Sequence, residues 1–261
     1  MRYLINNFFK DFNAACSKID LVINLSWLDI IQRYRRTVIG PFWITFSNII
    51  IILALTYIFS FVSDSSFYPL LSYIAIGYIL WIYISTSIIE SCNIFINSEF
   101  VIKQFSLPLS IHILRAHFRQ TIVFGHILLI LPIIYLHTDF HLLNFIYFLL
   151  SLILLSSIIF LISFFLAIIS SRFRDVFQIV QNIFQLLFYV TPIVWEKNIF
   201  PKPFFIDFNP IYHLINLPRE ILLNNSFPYV SLYVNLFIFT FCFIITVLFF
   251  SKFHKRIVYW I

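Results

Sequence analysis

Arg33-Tyr34-Arg35-Arg36-Thr37-Val38-Ile39-Gly40-Pro41-Phe42-Trp43 places three arginines within four positions, turns at Gly-Pro, and meets no further acidic or basic residue until Asp64. A hydrocarbon core about 30 Å thick takes about 20 apolar residues in a helix. Cations that stop abruptly before an uncharged run of that length mark the cytoplasmic edge of a membrane and the entry into lipid. This stretch therefore fixes both the class of the protein and the way it faces.

Composition agrees. The chain of 261 residues is 61% hydrophobic and 11% charged, with a mean hydropathy of +0.96. Soluble chains carry about 25% charged and about 45–50% apolar residues. The 35 Phe residues are explained first by a genome rich in Phe and Ile codons, and carry no ligand argument. Cys16, Cys92 and Cys242 are odd in number and widely spaced, so neither a disulfide framework nor a metal site is expected. Residues 1–18 mix polar and aromatic side chains and lack the compact apolar core of a cleavable leader.

Six spans are expected: 41–63, 70–89, 111–136, 142–170, 176–194 and 229–250. The third carries Arg115 and Arg119 in its first turns, and the fifth opens with Gln178, Gln181, Asn182 and Gln185. Alternating from a cytoplasmic N-terminus leaves all but Lys197, Lys202 and Arg219, of 17 Lys and Arg, on the inside. Both termini are then cytoplasmic. Before the first span, residues 18–36 read as an amphipathic helix along the inner surface, with Leu21, Leu25, Leu28 and Ile31 on one face and Asp29, Arg33 and Arg36 on another. The plainer reading is a positive-inside anchor. Residues 196–228 hold five prolines yet remain rich in Phe, Ile and Leu, a pattern expected of short re-entrant helices against protein or a cavity. The sum is an all-α integral membrane protein of six transmembrane helices: a cytoplasmic segment 1–40, a membrane domain 41–250 and a tail 251–261.

Several activities are disfavoured. With Gly40, Gly77 and Gly125 the only glycines, no phosphate-binding loop is possible, so nucleotide-driven work must come from another polypeptide. Every Asp and Glu falls at a span end or in a connection, which argues against an ion-coupled carrier and a membrane hydrolase. His137-x-Asp139-x-His141 reads as a polar turn sooner than a metal site, and His126 as a helix-to-helix hydrogen-bonding residue.

Several blocks, in order, resemble one family, the transmembrane subunits of ABC-2-type exporters of O-antigen, teichoic acid and related lipid-linked polysaccharides. The block Arg33-Tyr34, Thr37, Ile39-Gly40 and Trp43 is similar to the family's pre-span motif. Residues 97–108 resemble its cytoplasmic segment after the second span, Phe173-Arg174-Asp175 its turn before the fifth, and Pro192-Ile193 the end of that span. Asn209-Pro210 with Arg219 resembles its outer re-entrant pattern. The resemblance implies a permease in the inner (plasma) membrane that serves lipopolysaccharide or related glycan synthesis. It implies a homodimer with two ATP-binding subunits, on which ATP and Mg reside, and a lipid-linked polysaccharide as cargo. No cofactor is expected on this chain itself, its other contact is membrane lipid, and no nucleic-acid partner is expected. A drug or small-lipid exporter of the same architecture is the alternative.

On that resemblance Glu99, Phe100 and Lys103 form the coupling helix that seats on the ATPase, and Asn209, Pro210 and Arg219 the outer gate. A glycan offers flat CH faces and hydroxyls, so Tyr57, Phe184, Phe188 and Tyr189 are candidate channel-lining aromatics. Arg33, Arg35 and Arg36 are expected to meet a diphosphate head group through charge-assisted hydrogen bonds. Arg115 and Arg119 either join them or snorkel to the inner headgroups.

Overall fold

The computed structural model describes residues 2–35, 37, 39–40, 42–62, 66–132, 141–197, 204–224 and 226–261. Arg36, Asp64, His137, Asp139 and Lys202 from the sequence reading lie outside these. No β-strand occurs among the described residues. In chain order the helices are α1 (Arg2–Cys16), α2 (Ile19–Tyr34), α3 (Phe42–Phe59), α4 (Phe67–Ser91), α5 (Ile94–Asn97), α6 (Glu99–Gln104), α7 (Ser110–Ile127), α8 (Leu142–Arg172), α9 (Asp175–Val190), α10 (Phe204–Asp207), α11 (Pro210–Leu223) and α12 (Tyr229–Trp260).

Four of these, α3, α4, α8 and α12, are long and apolar enough to cross a membrane. They coincide with the first, second, fourth and sixth expected spans. The third and fifth expected spans are helices too, but of different character. α7 is charged near its start and tightens into a 3₁₀ turn at Leu128–Ile130. α9 has 16 residues and stops at Val190, because Thr191 takes the extended conformation that a following proline imposes.

α4 is the hub, with two thirds of its most apolar window buried among α3, α7, α8, α9 and α11. Tyr83 stacks on Phe124 of α7, and Trp81 packs against Phe184 of α9. α12 runs along α8, joined by the Thr246 hydroxyl donating to the Leu161 carbonyl at 3.1 Å. Serine and threonine serve α8 and α4 in the same way. Their hydroxyls hydrogen-bond carbonyls within the helix or across it, as Ser170 does with both Leu166 and Cys92.

The proline-rich stretch, expected to form short re-entrant helices, contributes α11, which lies inside the protein. Ile211 through Arg219 are all buried, against α4, α8 and α12. Asn209 caps it, its side-chain oxygen accepting from the Ile211 amide at 3.0 Å, with Pro210 in the first turn where no donor is needed.

Residues 2–16, in which no structure is legible from the sequence, form α1. Phe8 enters a ring cluster with Phe164 and Phe250, which binds α1 to α8 and α12. Asp11 caps α7 from outside its own helix, its carboxylate accepting from the Leu109 and Ser110 amides at 3.1 and 2.9 Å. A carboxylate at a helix N-terminus meets both unpaired donors and the positive end of the dipole.

Candidate functional site

At one end of α4, three of the arginines expected to meet a head group, Arg33, Arg115 and Arg119, gather around two carboxylates. Asp29 of α2 receives a bidentate fork from Arg115 of α7, with Nε at 2.9 Å. Arg119, one turn on, reaches Asp29 through Nη1 at 3.3 Å and Glu90 of α4 through Nη2 at 2.7 Å. Gln120 also donates to Glu90, and Arg33 approaches its other oxygen at 3.5 Å. α2, α4 and α7 are thereby joined by one network of charge-assisted bonds. Arg115 and Arg119 neither stand free nor snorkel outward; their guanidinium groups are turned to protein carboxylates. Arg35 is exposed at the end of α2.

The network orients α2. Its charged face packs on α7 through Val22, Ser26 and Ile30, and the Ser26 hydroxyl donates to the Arg115 carbonyl at 2.9 Å. Leu21, Trp27, Leu28 and Ile31 point away from the protein. Beyond α2 the chain turns at Gly40, whose φ of +63° is a left-handed conformation that a side chain would strain. A cavity of about 520 Å³ lies beside the network, lined by Asp29, Arg33, Glu90, Arg115, Arg119 and His112. His112 is buried with neither ring nitrogen hydrogen-bonded among the described residues.

At the same end α5 packs into the core through Ile94 and Phe95, and α6 projects beyond it. None of the α6 residues is buried, and Phe100 is 69% exposed. Lys103 donates to Glu99 across one helical turn at 2.6 Å. That hydrogen bond, followed by the charge of the same lysine, holds the Glu99 carboxyl below the usual glutamate range. Arg174 of the Phe173-Arg174-Asp175 turn adds a weaker push in the same direction.

The four candidate aromatics do not form one wall. Phe184 is buried against Trp81, and Phe188 is half-buried on the same ring. Tyr57 and Tyr189 are exposed, Tyr57 on α3 with Phe61 edge-on at 5.0 Å. α9 exposes two neighbouring stripes: a polar one of Gln178, Gln181, Asn182 and Gln185, ending at Tyr189, which is 69% exposed, and an apolar one of Ile179, Ile183, Leu186 and Val190. Gln178 donates to Asn182 at 3.1 Å along the polar one. In the sequence these amides only weaken the case for a span; their common face becomes visible once the opposite side, Val180 and Phe184, is seen to be buried.

At the other end of α4, Asn209 and Arg219 come together through residues 191–195. Asn209 donates to the Thr191 hydroxyl at 2.8 Å, and Arg219 to the Pro192 carbonyl at 2.8 Å. The Tyr73 hydroxyl lies 3.3 and 3.2 Å from the Pro192 and Trp195 carbonyls. Gly77 of α4 permits this contact, since a Cβ there would fall 2.8 Å from the Ile193 carbonyl oxygen and 3.2 Å from Arg219 Nη1. Neither Gly77 nor Tyr73 stands out in the sequence.

Residues 21–223 match the family described as ABC-2 type transporter. Two proteins of Klebsiella pneumoniae, each called O-antigen export system permease protein RfbA, are similar along most of their length. One is 25% identical over 237 residues, covering 85% of this chain and 88% of its own. The other is 24% identical over 243 residues, covering 90% and 92%.

Proposed function

Because the chain belongs to the ABC-2 type transporter family, a family of transporter membrane subunits that work with an ATP-binding subunit, we propose that it is the pore-forming half of a lipid-linked polysaccharide exporter. Two copies assemble with two ATPase subunits in the inner membrane, with all four termini cytoplasmic and six spans in each copy. The observation that carries this reading is the face of α9. Amide side chains exposed on a membrane helix must meet a water-filled lumen or another protein, because hydrocarbon leaves them unsatisfied. Gln178, Gln181, Asn182, Gln185 and Tyr189 form such a face, uncharged and rich in both donors and acceptors. It suits a neutral, hydroxyl-bearing cargo better than an ion. The O-antigen permease relatives support the same cargo class.

The remaining roles follow. α6 seats on the ATPase through exposed Phe100 and the Glu99–Lys103 pair, and ATP with its Mg stays on that partner. Arg33 and Arg35 hold the diphosphate head group at the cytoplasmic end of the path. Arg115 and Arg119 brace α2 through Asp29 and Glu90, and so keep those two cations in place. The reading is tested by replacing Gln181 and Gln185 together with Leu in cells that depend on this chain for surface glycan. Glycan retained inside, with the permease–ATPase complex still co-purifying, is the expected result. Undiminished surface glycan overturns the assignment of the α9 face.

A further inference from the structure

α12 is longer than a membrane needs. Tyr229–Phe250 holds no acidic or basic residue and spans about 33 Å as a helix, enough for a hydrocarbon core of about 30 Å. Residues 251–260 continue the same helix about 15 Å further, past a headgroup layer about 5–8 Å deep. Lys252 stands at headgroup depth and belongs to the lipid. Arg256 and Tyr259 lie beyond it and are both exposed. At 86%, Tyr259 is the most exposed of the large apolar and aromatic side chains described. A positive-inside anchor explains neither the length of this helix nor a tyrosine so far from the acyl chains.

The end of α12 is packed on one side and open on the other. The Phe253 and Trp260 rings lie 5.5 Å apart and pack against the cluster of Phe95, Phe250 and Ile257. Ile102, half-buried on α6, packs against the same cluster, and α6 and α12 are in contact. The Arg172 guanidinium at the end of α8 sits 5.4 Å from the Trp260 ring and 5.2 Å from the Phe173 ring, within cation–π range. Arg256 is three residues from Phe253 and four from Trp260, so it borders that pair. Arg174 is near enough to α6 for its charge to act on Glu99. On α6, residues 172–175 and the last two turns of α12, the cations are Lys103, Arg172, Arg174, Lys255 and Arg256. The carboxylates there are Glu99, which Lys103 already holds, and Asp175. A terminal carboxylate on Ile261 still leaves the balance positive.

A stable protein interface takes about 800 Å² and about 20–30 residues from each side. α6 has six residues and cannot supply that alone. The end of α12 adjoins it outside the lipid. We propose that residues 255–260 of α12, with Arg172 and Phe173, form the second half of the docking surface for the ATP-binding subunit. The chemistry calls for a partner face with carboxylates around an apolar pocket. Tyr259 fills that pocket, and Arg256 meets the carboxylates. Tyrosine and arginine are among the side chains that most often dominate such interfaces. The proposal rests on the exporter reading above and adds a second contact to α6.

The test uses the whole chain in lipid nanodiscs and the ATP-binding subunit that co-purifies with it. Arg256→Gln with Tyr259→Ala should weaken association about tenfold or more, read by biolayer interferometry. The same change should flatten the dependence of affinity on salt. The loss should be equal in discs of neutral phosphatidylcholine and of anionic phosphatidylglycerol. A loss confined to the anionic discs would return Arg256 to the headgroups and overturn the proposal, as would unchanged affinity. A second measurement keeps the surface intact: p-benzoylphenylalanine at position 259 is photolysed in the assembled complex. An adduct with the ATP-binding subunit is the expected result, and adducts with lipid alone overturn the assignment. A parent chain that binds its ATPase while the variant binds equally well removes this surface alone. A parent chain that holds no ATP-binding subunit removes the exporter reading and this surface with it.

Discussion

Replacing Asp29 by Asn keeps the size of the side chain but takes the negative charge from beneath two guanidinium groups. Asp29 is the only carboxylate among the described residues that both Arg115 and Arg119 reach. Its side chain is 14% exposed, and those of Arg115 and Arg119 are 29% and 20% exposed. Breaking a fully buried ion pair costs about 3–5 kcal/mol, whereas an exposed pair contributes about 0–1 kcal/mol. The partial exposure here sets the expected coupling between Asp29 and Arg115 at about 1–2 kcal/mol. A double-mutant cycle with Asp29→Asn and Arg115→Gln, read from unfolding in mixed micelles of rising denaturing-detergent fraction, measures it directly. The same variants, with cysteines placed on α2 and α7 for crosslinking, should show α2 loosened from α7. A coupling energy below about 0.3 kcal/mol, the usual scatter of independent sites, together with unchanged crosslinking would refute the brace. The arginines would then have to be returned to the head group.

Gly77→Ala drives a Cβ against the Ile193 carbonyl. It should destabilise the protein by about 1–3 kcal/mol, as overpacking does, measured as a fall in melting temperature; an unchanged melt would show that residues 191–195 yield freely. Glu99 should titrate below the ordinary glutamate value of 4.5. Because its folded pKa is depressed, the Glu99–Lys103 contact contributes fully above the unfolded value and is lost as pH falls through the folded one. Carboxyl carbon NMR of the labelled chain checks this, and Lys103→Gln should return the midpoint upward. Glu99→Arg with Phe100→Ala should weaken association with the ATPase subunit, seen as lost co-purification and lower ATP turnover; retention of both would remove α6 from the docking surface.

The long apolar helices are legible because lipid asks one thing of a span, length without charge, and long uncharged runs within 42–59, 67–91, 142–172 and 229–260 supply it locally. α7 and α9 are harder to read for the same reason. Arg115 and Arg119 are compatible with a buried helix only because Asp29 and Glu90 face them from elements far off in sequence. The amides of α9 make sense only as one face of a helix whose other face is covered. α1 was not legible at all: its helix depends on Phe8 meeting Phe164 and Phe250 and on Asp11 capping α7. α6, by contrast, was readable from the i, i+4 spacing of Glu99 and Lys103, since that contact lies within one turn. Among the expected site residues, Arg33, Arg115 and Arg119 share one network, Asn209 and Arg219 meet through residues 191–195, and Glu99 pairs with Lys103. The aromatics part company, because whether a phenylalanine faces a lumen or a neighbouring helix is decided by packing, and Trp81 covers Phe184.

The proposed exporter half is a membrane path that draws its energy from a separate ATPase. The most direct measurement loads proteoliposomes with the purified chain, with or without its cognate ATPase, and follows protection of fluorescent lipid-linked glycan from added glycosidase. Movement only when ATPase, ATP and Mg are all present is the predicted result. Glycan crossing in vesicles that hold this chain alone would contradict it.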